Sequence, residues 1–203
     1  MKKEIKDTGD YAASEKVAIK SGKDVLSRAP WLYNRRLKKS GFFVELRENN
    51  LVYPKHYSVH CVDGVGTKLF LAPWSGDFSL PSIDGINMNA NDLATIINAD
   101  PDSVNIYIAA QTEVEKKHMG EIMSGIVAGL SSMRSPDAQW NINIGKIETA
   151  SLDEMISLGI PNKGYDLGVV MTGFIEKSKI PNLNPVPGNF IVGVSSTGLH
   201  SNA

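Results

Sequence analysis

A single cysteine, Cys61, leaves this chain of 203 residues no intrachain disulfide, which fits a reducing compartment and a cytoplasmic location. Long apolar runs are missing too, since none reaches the ~18 residues that would suggest a membrane span. The start, Met1 to Asp7, lacks the apolar stretch of a signal peptide. Neither sign of charge dominates: 21 Lys and Arg stand against 22 Asp and Glu, a net charge of −1. That balance argues against nucleic-acid or membrane partners, because there is no bulk field to attract them. No internal repeat or low-complexity tract stands out. What is present is ordinary for a packed protein, with 42% hydrophobic and 21% charged residues. The length allows one large domain, or one domain and part of another. Cys61 sits in an apolar, strand-like run, so it reads as a buried, inert thiol rather than a nucleophile.

Hydrophobic spacing lays out the elements. Residues 1–50 are basic and polar, with a helix expected after Pro30 and ended by Gly41. Arg35-Arg36 and Lys38-Lys39 read as a solvated face. Residues 57–62 and 67–72 read as two strands about a glycine loop, and Pro73 to Pro81 as a loop. Ile86, Ala90, Leu93, Ala94 and Ile97 recur at helical spacing and predict a helix over residues 84–98. Asp100-Pro101-Asp102 reads as a turn. Val104, Ile106 and Ile108 alternate as a half-buried strand. Met119, Ile122, Met123, Ile126, Val127 and Leu130 mark a helix whose methionines belong to the core. Trp140, Ile142 and Ile144 predict a further strand. Ser151-Leu152-Asp153-Glu154 has capping-box spacing for a short helix ended by Gly159. Residues 166–175 and Phe190 to Val194 read as strands. Strands and helices intermixed indicate a mixed α/β or α+β domain.

The most informative stretch is Asp63-Gly64-Val65-Gly66-Thr67-Lys68. Two glycines permit positive φ and close approach of a ligand to the backbone. Freed backbone N–H groups can cradle an anion. Lys68 suits phosphate, and Asp63 suits Mg²⁺, which is held by one or two carboxylates plus substrate phosphates. The same residues would also make an ordinary hairpin with a glycine-rich turn. His56, His60 and His118 read as structural or surface residues.

This stretch resembles the signature of aminoimidazole ribonucleotide synthetase, the cyclo-ligase family of purine biosynthesis. Further resemblances follow in the family's order. They are Asn91-Asp92-Leu93, Glu148-Thr149-Ala150, Tyr165-Asp166-Leu167 with Gly173 and Glu176-Lys177-Ser178, and Ser195-Ser196-Thr197-Gly198-Leu199-His200-Ser201-Asn202. Together they cover roughly residues 57 to 203. The resemblance implies an amino-terminal ATP-binding domain over residues 1–180, a mixed sheet with helices on one face. It also implies a homodimer in which two sheets close into a barrel. Residues 181–203 would be a linker and the first strand and loop of a second domain that is cut short.

The implied activity is an ATP-dependent ligase reaction, ring closure of formylglycinamidine ribonucleotide to aminoimidazole ribonucleotide with release of ADP and phosphate. The chain by itself is not expected to complete it. By resemblance Asp63 and Asp92 hold Mg²⁺. Gly64, Gly66, Thr67, Lys68, Asn91, Ser195 and Ser196 bind nucleotide or phosphate, and Lys68, Glu148 and His200 act on the substrate. The sequence departs from the family in several places. Ala18 and Lys20 stand where an acidic amino-terminal pattern has aspartates, Lys146-Ile147 replace two glycines before Glu148, and Leu199 replaces a proline. Two alternatives stay open: a related ATP-binding enzyme resembling thiamine monophosphate kinase, and a non-catalytic nucleotide-binding or dimerisation paralogue.

Overall fold

The computed structural model describes residues 37–38, 46–48, 52–94, 99–133, 142–182, 184–193 and 195. The chain divides into two units, Met1–Leu37 and Lys38–Ala203. The first is almost wholly outside the described residues, as are the helix expected after Pro30 and the positions Ala18 and Lys20.

The described strands are β1 (Leu37–Lys38), β2 (Leu46–Glu48), β3 (His56–Gly64), β4 (Asp100–Ala110), β5 (Asn143–Ser151) and β6 (Tyr165–Glu176). They form one mixed sheet in the order β1-β2-β3-β6-β4-β5. β6 is antiparallel to both β3 and β4, and β5 runs parallel to β4. Alternation makes these strands two-faced. On β6, Tyr165, Leu167, Val169, Met171 and Ile175 are buried, while Asp166 and Val170 between them are exposed. On β4, Val104, Ile106, Ile108 and Ala110 supply the matching buried set.

Three α-helices are described: α1 (Leu71–Ser75), which the sequence did not lead one to expect, and α2 (Leu80–Ala94) and α3 (Thr112–Ser132), which follow the expected pattern in part. α2 packs on the buried face of β3 and β6, and α3 packs on α2. Gly85 lies against the sheet, where an added Cβ would meet Val65 Cγ2 at 3.1 Å and Leu167 Cδ2 at 3.2 Å. On the other side of α2, a Cβ on Gly129 of α3 would stand 2.9 Å from Ile86 Cβ. Met119 and Met123 pack against the core as expected. Val127, expected with them, is 57% exposed.

Five expectations are corrected. Residues 67–72 are not a strand: the chain coils into a 3₁₀ helix over Gly66–Phe70 and then α1. The apolar run there has Leu69 and Ala72 buried, a helical interval, with Leu71 and Trp74 exposed. Pro73 and Trp74, expected in a loop, therefore lie in a helix that Gly76 ends at φ 76°. Asp100-Pro101-Asp102 is not a turn but the start of β4, with a register irregularity between Pro101 and Ser103. Gly173 makes that approach possible, because a Cβ there would lie 2.5 Å from the Asp100 carbonyl oxygen. Ser151 caps no helix of its own, and residues 153–155 form only a turn. Its hydroxyl donates to Glu115 Oε2 at 2.5 Å, and Asp153 instead accepts from the Thr112 N–H at 2.8 Å at the start of α3. Residues 190–193 are not strand, and Phe190, Ile191 and Val192 stand exposed without a sheet neighbour among the described residues.

The contact of α3 with the turn before α2 gives a stability test. A Cβ on Gly125 would fall 2.1 Å from the Ser79 carbonyl oxygen, so Gly125→Ala must push the helix away. Overpacking of this kind costs about 1–3 kcal/mol. Gly120, on the same helix, has nothing within 4 Å of its Cβ position, so Gly120→Ala should instead stabilise by up to about 1 kcal/mol. Thermal unfolding of the two variants should shift Tm in opposite directions. Equal shifts would refute the packing described.

Candidate functional site

The glycine stretch begins where β3 meets the helical layer. Asp63 is the penultimate residue of β3 and pairs with Val169, whose side chain lies in the core, so Asp63 projects toward the helices at the sheet's end. Its Oδ1 accepts the Gly64 N–H at 3.0 Å. Only the second glycine takes a conformation that favours glycine: Gly66 has φ +65°, with open space where a Cβ would be. Gly64 ends the strand paired with Gly168. Thr67 is exposed on the 3₁₀ helix that follows.

α2 carries the other acidic residue. Asp92 is buried, 7% exposed, and Asn91 beside it is exposed. One residue along a helix is a rotation of about 100°, which separates the two. Burial raises the Asp92 carboxyl above the ordinary carboxylate range, and the charge of Asp63 raises it further. The same two carboxylates act on Cys61, whose thiol is pushed up to about 12, mainly by burial and then by Asp92. Its Sγ donates to the Asn89 carbonyl at 3.4 Å. Cys61 is thus a buried, protonated core thiol, as the sequence implied.

Burial and the charge of Asp63 both disfavour ionisation of Asp92, and a divalent cation would oppose both effects. Oxygen ligands on a rigid strand end and helix suit Mg²⁺, which takes one or two carboxylates and completes its shell with phosphate and water. Among the described residues no group of three His, Cys, Asp or Glu converges as an all-protein metal cage. Lys68, 12% exposed at its side chain, lies 3.4 Å from Asp84 Oδ2 on the first half of α2.

Glu148 is not brought to this cluster. It lies on β5, exposed, with its Oε2 2.7 Å from Lys146 Nζ. Register places Gly64, Gly168, Tyr107 and Glu148 in one row across β3, β6, β4 and β5. Opposed residues share a face, so Glu148 projects from the face opposite Asp63, three strand spacings or about 14 Å along the row. Ser195 is exposed, and Ser196 and His200 lie outside the described residues. Sequence reasoning missed Asp84, since nothing in its spacing ties it to Lys68. His118, expected to be structural or on the surface, stacks on Phe78 at 3.8 Å between its rings and contacts Glu121 and Lys163.

No protein-family model matches the chain. It is similar to a phosphoribosylformylglycinamidine cyclo-ligase of Methanococcus maripaludis, 36% identical over 148 residues, 72% of this chain and 38% of that protein. The like-named protein of Pyrococcus furiosus is 32% identical over 153 residues, 75% of this chain and 41% of its own length. The chain therefore spans about two fifths of the length of the curated relatives it matches. Among solved structures it is similar to AaThiL complexed with AMPPCP and TMP, with a TM-score of 0.51, 11% identity, and coverage of 75% of this chain and 41% of that one. The Thermotoga maritima PurL complexed with AMPPCP gives a TM-score of 0.51 at 12% identity, over 71% of this chain and 22% of that one. At such identities the likeness establishes the fold: a mixed sheet shared with these proteins.

The raised Asp92 carboxyl gives a pH test. Its folded value lies above the unfolded one, so the native state binds more protons between the two and stability falls as pH rises through that window. Asp92→Asn should therefore raise the Tm of the metal-free protein at neutral pH, and the gain should vanish below about pH 4, where an ordinary aspartate is protonated. A difference between the two proteins that does not depend on pH would show that Asp92 carries no such strain.

Proposed function

From its homology to the phosphoribosylformylglycinamidine cyclo-ligases over 148 residues, we propose that this chain carries the ATP-binding part of an enzyme that closes the imidazole ring of aminoimidazole ribonucleotide. The observation that carries the proposal is that match, 36% identity over 148 residues. Asp63 at the end of β3 and the buried Asp92 on α2 both lie on the covered side of the sheet, in support of the assignment.

In this reading Asp63 and Asp92 hold Mg²⁺, which when bound supplies charge neutralisation at the phosphates of ATP. Lys68 adds a positive charge beside them, and the exposed Thr67 and Gly66 offer a hydroxyl and a backbone N–H. The formyl oxygen of formylglycinamidine ribonucleotide takes the γ-phosphoryl group. An amidine nitrogen of the same molecule then attacks the activated carbon, and phosphate leaves. The protein's own contribution is orientation and charge stabilisation, since such transfers need little covalent help. Asn91, Ser195, Ser196, Glu148 and His200 are assigned to nucleotide and substrate by motif alone. Residues 1–180 are assigned to the ATP-binding and dimerisation domain, and 181–203 to a linker and the opening of a second domain.

A homodimer is the second part of the proposal. Val62 is 72% exposed, and Val170 and Tyr107 are exposed beside it on the face of the sheet that carries no helix among the described residues. Apolar side chains on a bare sheet face favour pairing with a like face. The non-catalytic alternative draws on Ala18 and Lys20, where the family has acidic residues.

Two measurements test these points. Calorimetry at fixed Mg²⁺ should show ATP binding that Asp63→Asn weakens by at least about tenfold, the range seen when even outer-shell partners of a metal are lost. Unchanged affinity would remove Asp63 from the site, and binding without turnover by the full-length protein would favour the non-catalytic reading. Sedimentation at micromolar concentration should show a dimer that Val62→Asp converts to monomer. A wild-type monomer would refute the pairing face.

A further inference from the structure

We infer that Asn89 supplies a further oxygen, from its side-chain amide, to the cation proposed at Asp63 and Asp92. The inference deepens the nucleotide reading given above and rests on it. Asn89 is fully buried on α2, 0% exposed. Its Nδ2 donates to the Gly85 carbonyl oxygen at 3.0 Å. A carbonyl oxygen only accepts, so this bond fixes which end of the amide is nitrogen and which is oxygen. The oxygen, Oδ1, is closed to solvent and has no hydrogen-bond partner among the described residues. An unpaired buried acceptor is costly, and such an atom in a native structure is commonly met by a water or an ion.

Placement favours the ion. Gly85, Asn89 and Asp92 are spaced four and three apart, so they share one stripe of the helix. At one end of this stripe Gly85 lies against Val65, and further along the Asn89 carbonyl accepts from Cys61 Sγ at 3.4 Å. Cys61, Asp63 and Val65 follow at intervals of two along the chain, with Asp63 in the middle. The bond to Gly85 draws the Asn89 amide back along the helix, toward the stretch of strand that holds Asp63. The charges of Asp92 and Asp63 both act on the Cys61 thiol that touches Asn89. A neutral oxygen suits this place. A third carboxylate would add to the repulsion that already disfavours ionisation of Asp92, whereas an amide oxygen can meet a hard cation without adding charge.

The test titrates the protein with Mn²⁺ alone and reads binding from the loss of the free-ion spin-resonance signal, with Tm recorded to confirm folding. Asn89→Ala removes the oxygen and keeps a good helix former. It should bind Mn²⁺ at least about tenfold more weakly, the range seen when partners of a metal site are lost. Asn89→Asp keeps an oxygen and adds a charge, so it should bind Mn²⁺ at least as tightly as the wild type. Unchanged affinity in Asn89→Ala overturns the inference and leaves Oδ1 to an internal water. Equal weakening in both variants also overturns it, because the site would then be responding to shape and not to oxygen. If Asn89→Ala does not fold, Asn89→Asp decides alone, and binding weaker than wild type refutes the assignment. Calorimetry with Mg-ATP separates the two levels. Where Asp63→Asn weakens Mg-ATP binding and Asn89→Ala leaves Mn²⁺ binding unchanged, the nucleotide reading stands and this inference falls. Where the wild type binds neither Mn²⁺ nor Mg-ATP, both fall.

Discussion

The seat of α2 on the sheet is the constraint on which the site depends. The helix lies close to β3 and β6 because Gly85 presents no side chain to Val65, Leu167 and Val169. It is held from the other side because Gly129 of α3 admits Ile86. With both faces filled, the helix cannot roll without driving a side chain into its neighbours, since such interiors are packed to crystal-like density. Its rotation fixes which of two adjacent polar residues is buried. A turn of about 100° would exchange Asn91 for Asp92. The packing of Gly85 and Ile86 thus selects the aspartate of Asn91-Asp92 to face inward.

The selection has a cost in stability. Burying Asp92 near Asp63 disfavours its charged form, and Cys61, buried beside them, must stay protonated. A core built for stability alone would place an apolar residue there, as the surrounding Val59, Leu93 and Met171 do. Strain of this kind clusters where a ligand relieves it. The helix is therefore both closely packed on two sides and the carrier of a disfavoured charge, and the packing is what holds that charge in place.

Periodicity made much of the fold legible in the sequence. β4, β6 and α3 follow from alternating or helically spaced apolar residues, and the core methionines of α3 follow with them. The failures have physical causes. Leu69 to Ala72 is short and apolar throughout, so its pattern fits strand and helix equally, and Gly66 at φ +65° turns the backbone into a coil instead of a hairpin. Asp100-Pro101 carries turn residues, but Gly173 opposite leaves room for the strand to begin there with an irregularity. Ser151 and Asp153 carry cap residues, yet they serve α3 across space instead of a helix of their own. In the last two cases a long-range partner decided what a local signal left open. The partnership of Lys68 and Asp84 is invisible in sequence for the same reason.

Glu148 shows a different limit. A strand residue's face is set by register, and a slip of one residue would reverse it. In this sheet Glu148 shares a row with Tyr107 and Gly64 on the bare face, whereas Asp63 is on the covered one. The sheet therefore stands between Glu148 and the paired carboxylates, and no rotamer of a glutamate spans about 14 Å of strand spacings and a change of face. The same face carries the exposed Val62, Val170 and Tyr107. A reading that gives Glu148 to substrate and the bare face to a second copy therefore asks one surface to do both. Glu148 is on β5, the edge strand, and Val62 is on β3, with β6 and β4 between them. On that face the apolar Val62 and Val170 lie on β3 and β6, and the charged Lys146 and Glu148 lie on β5.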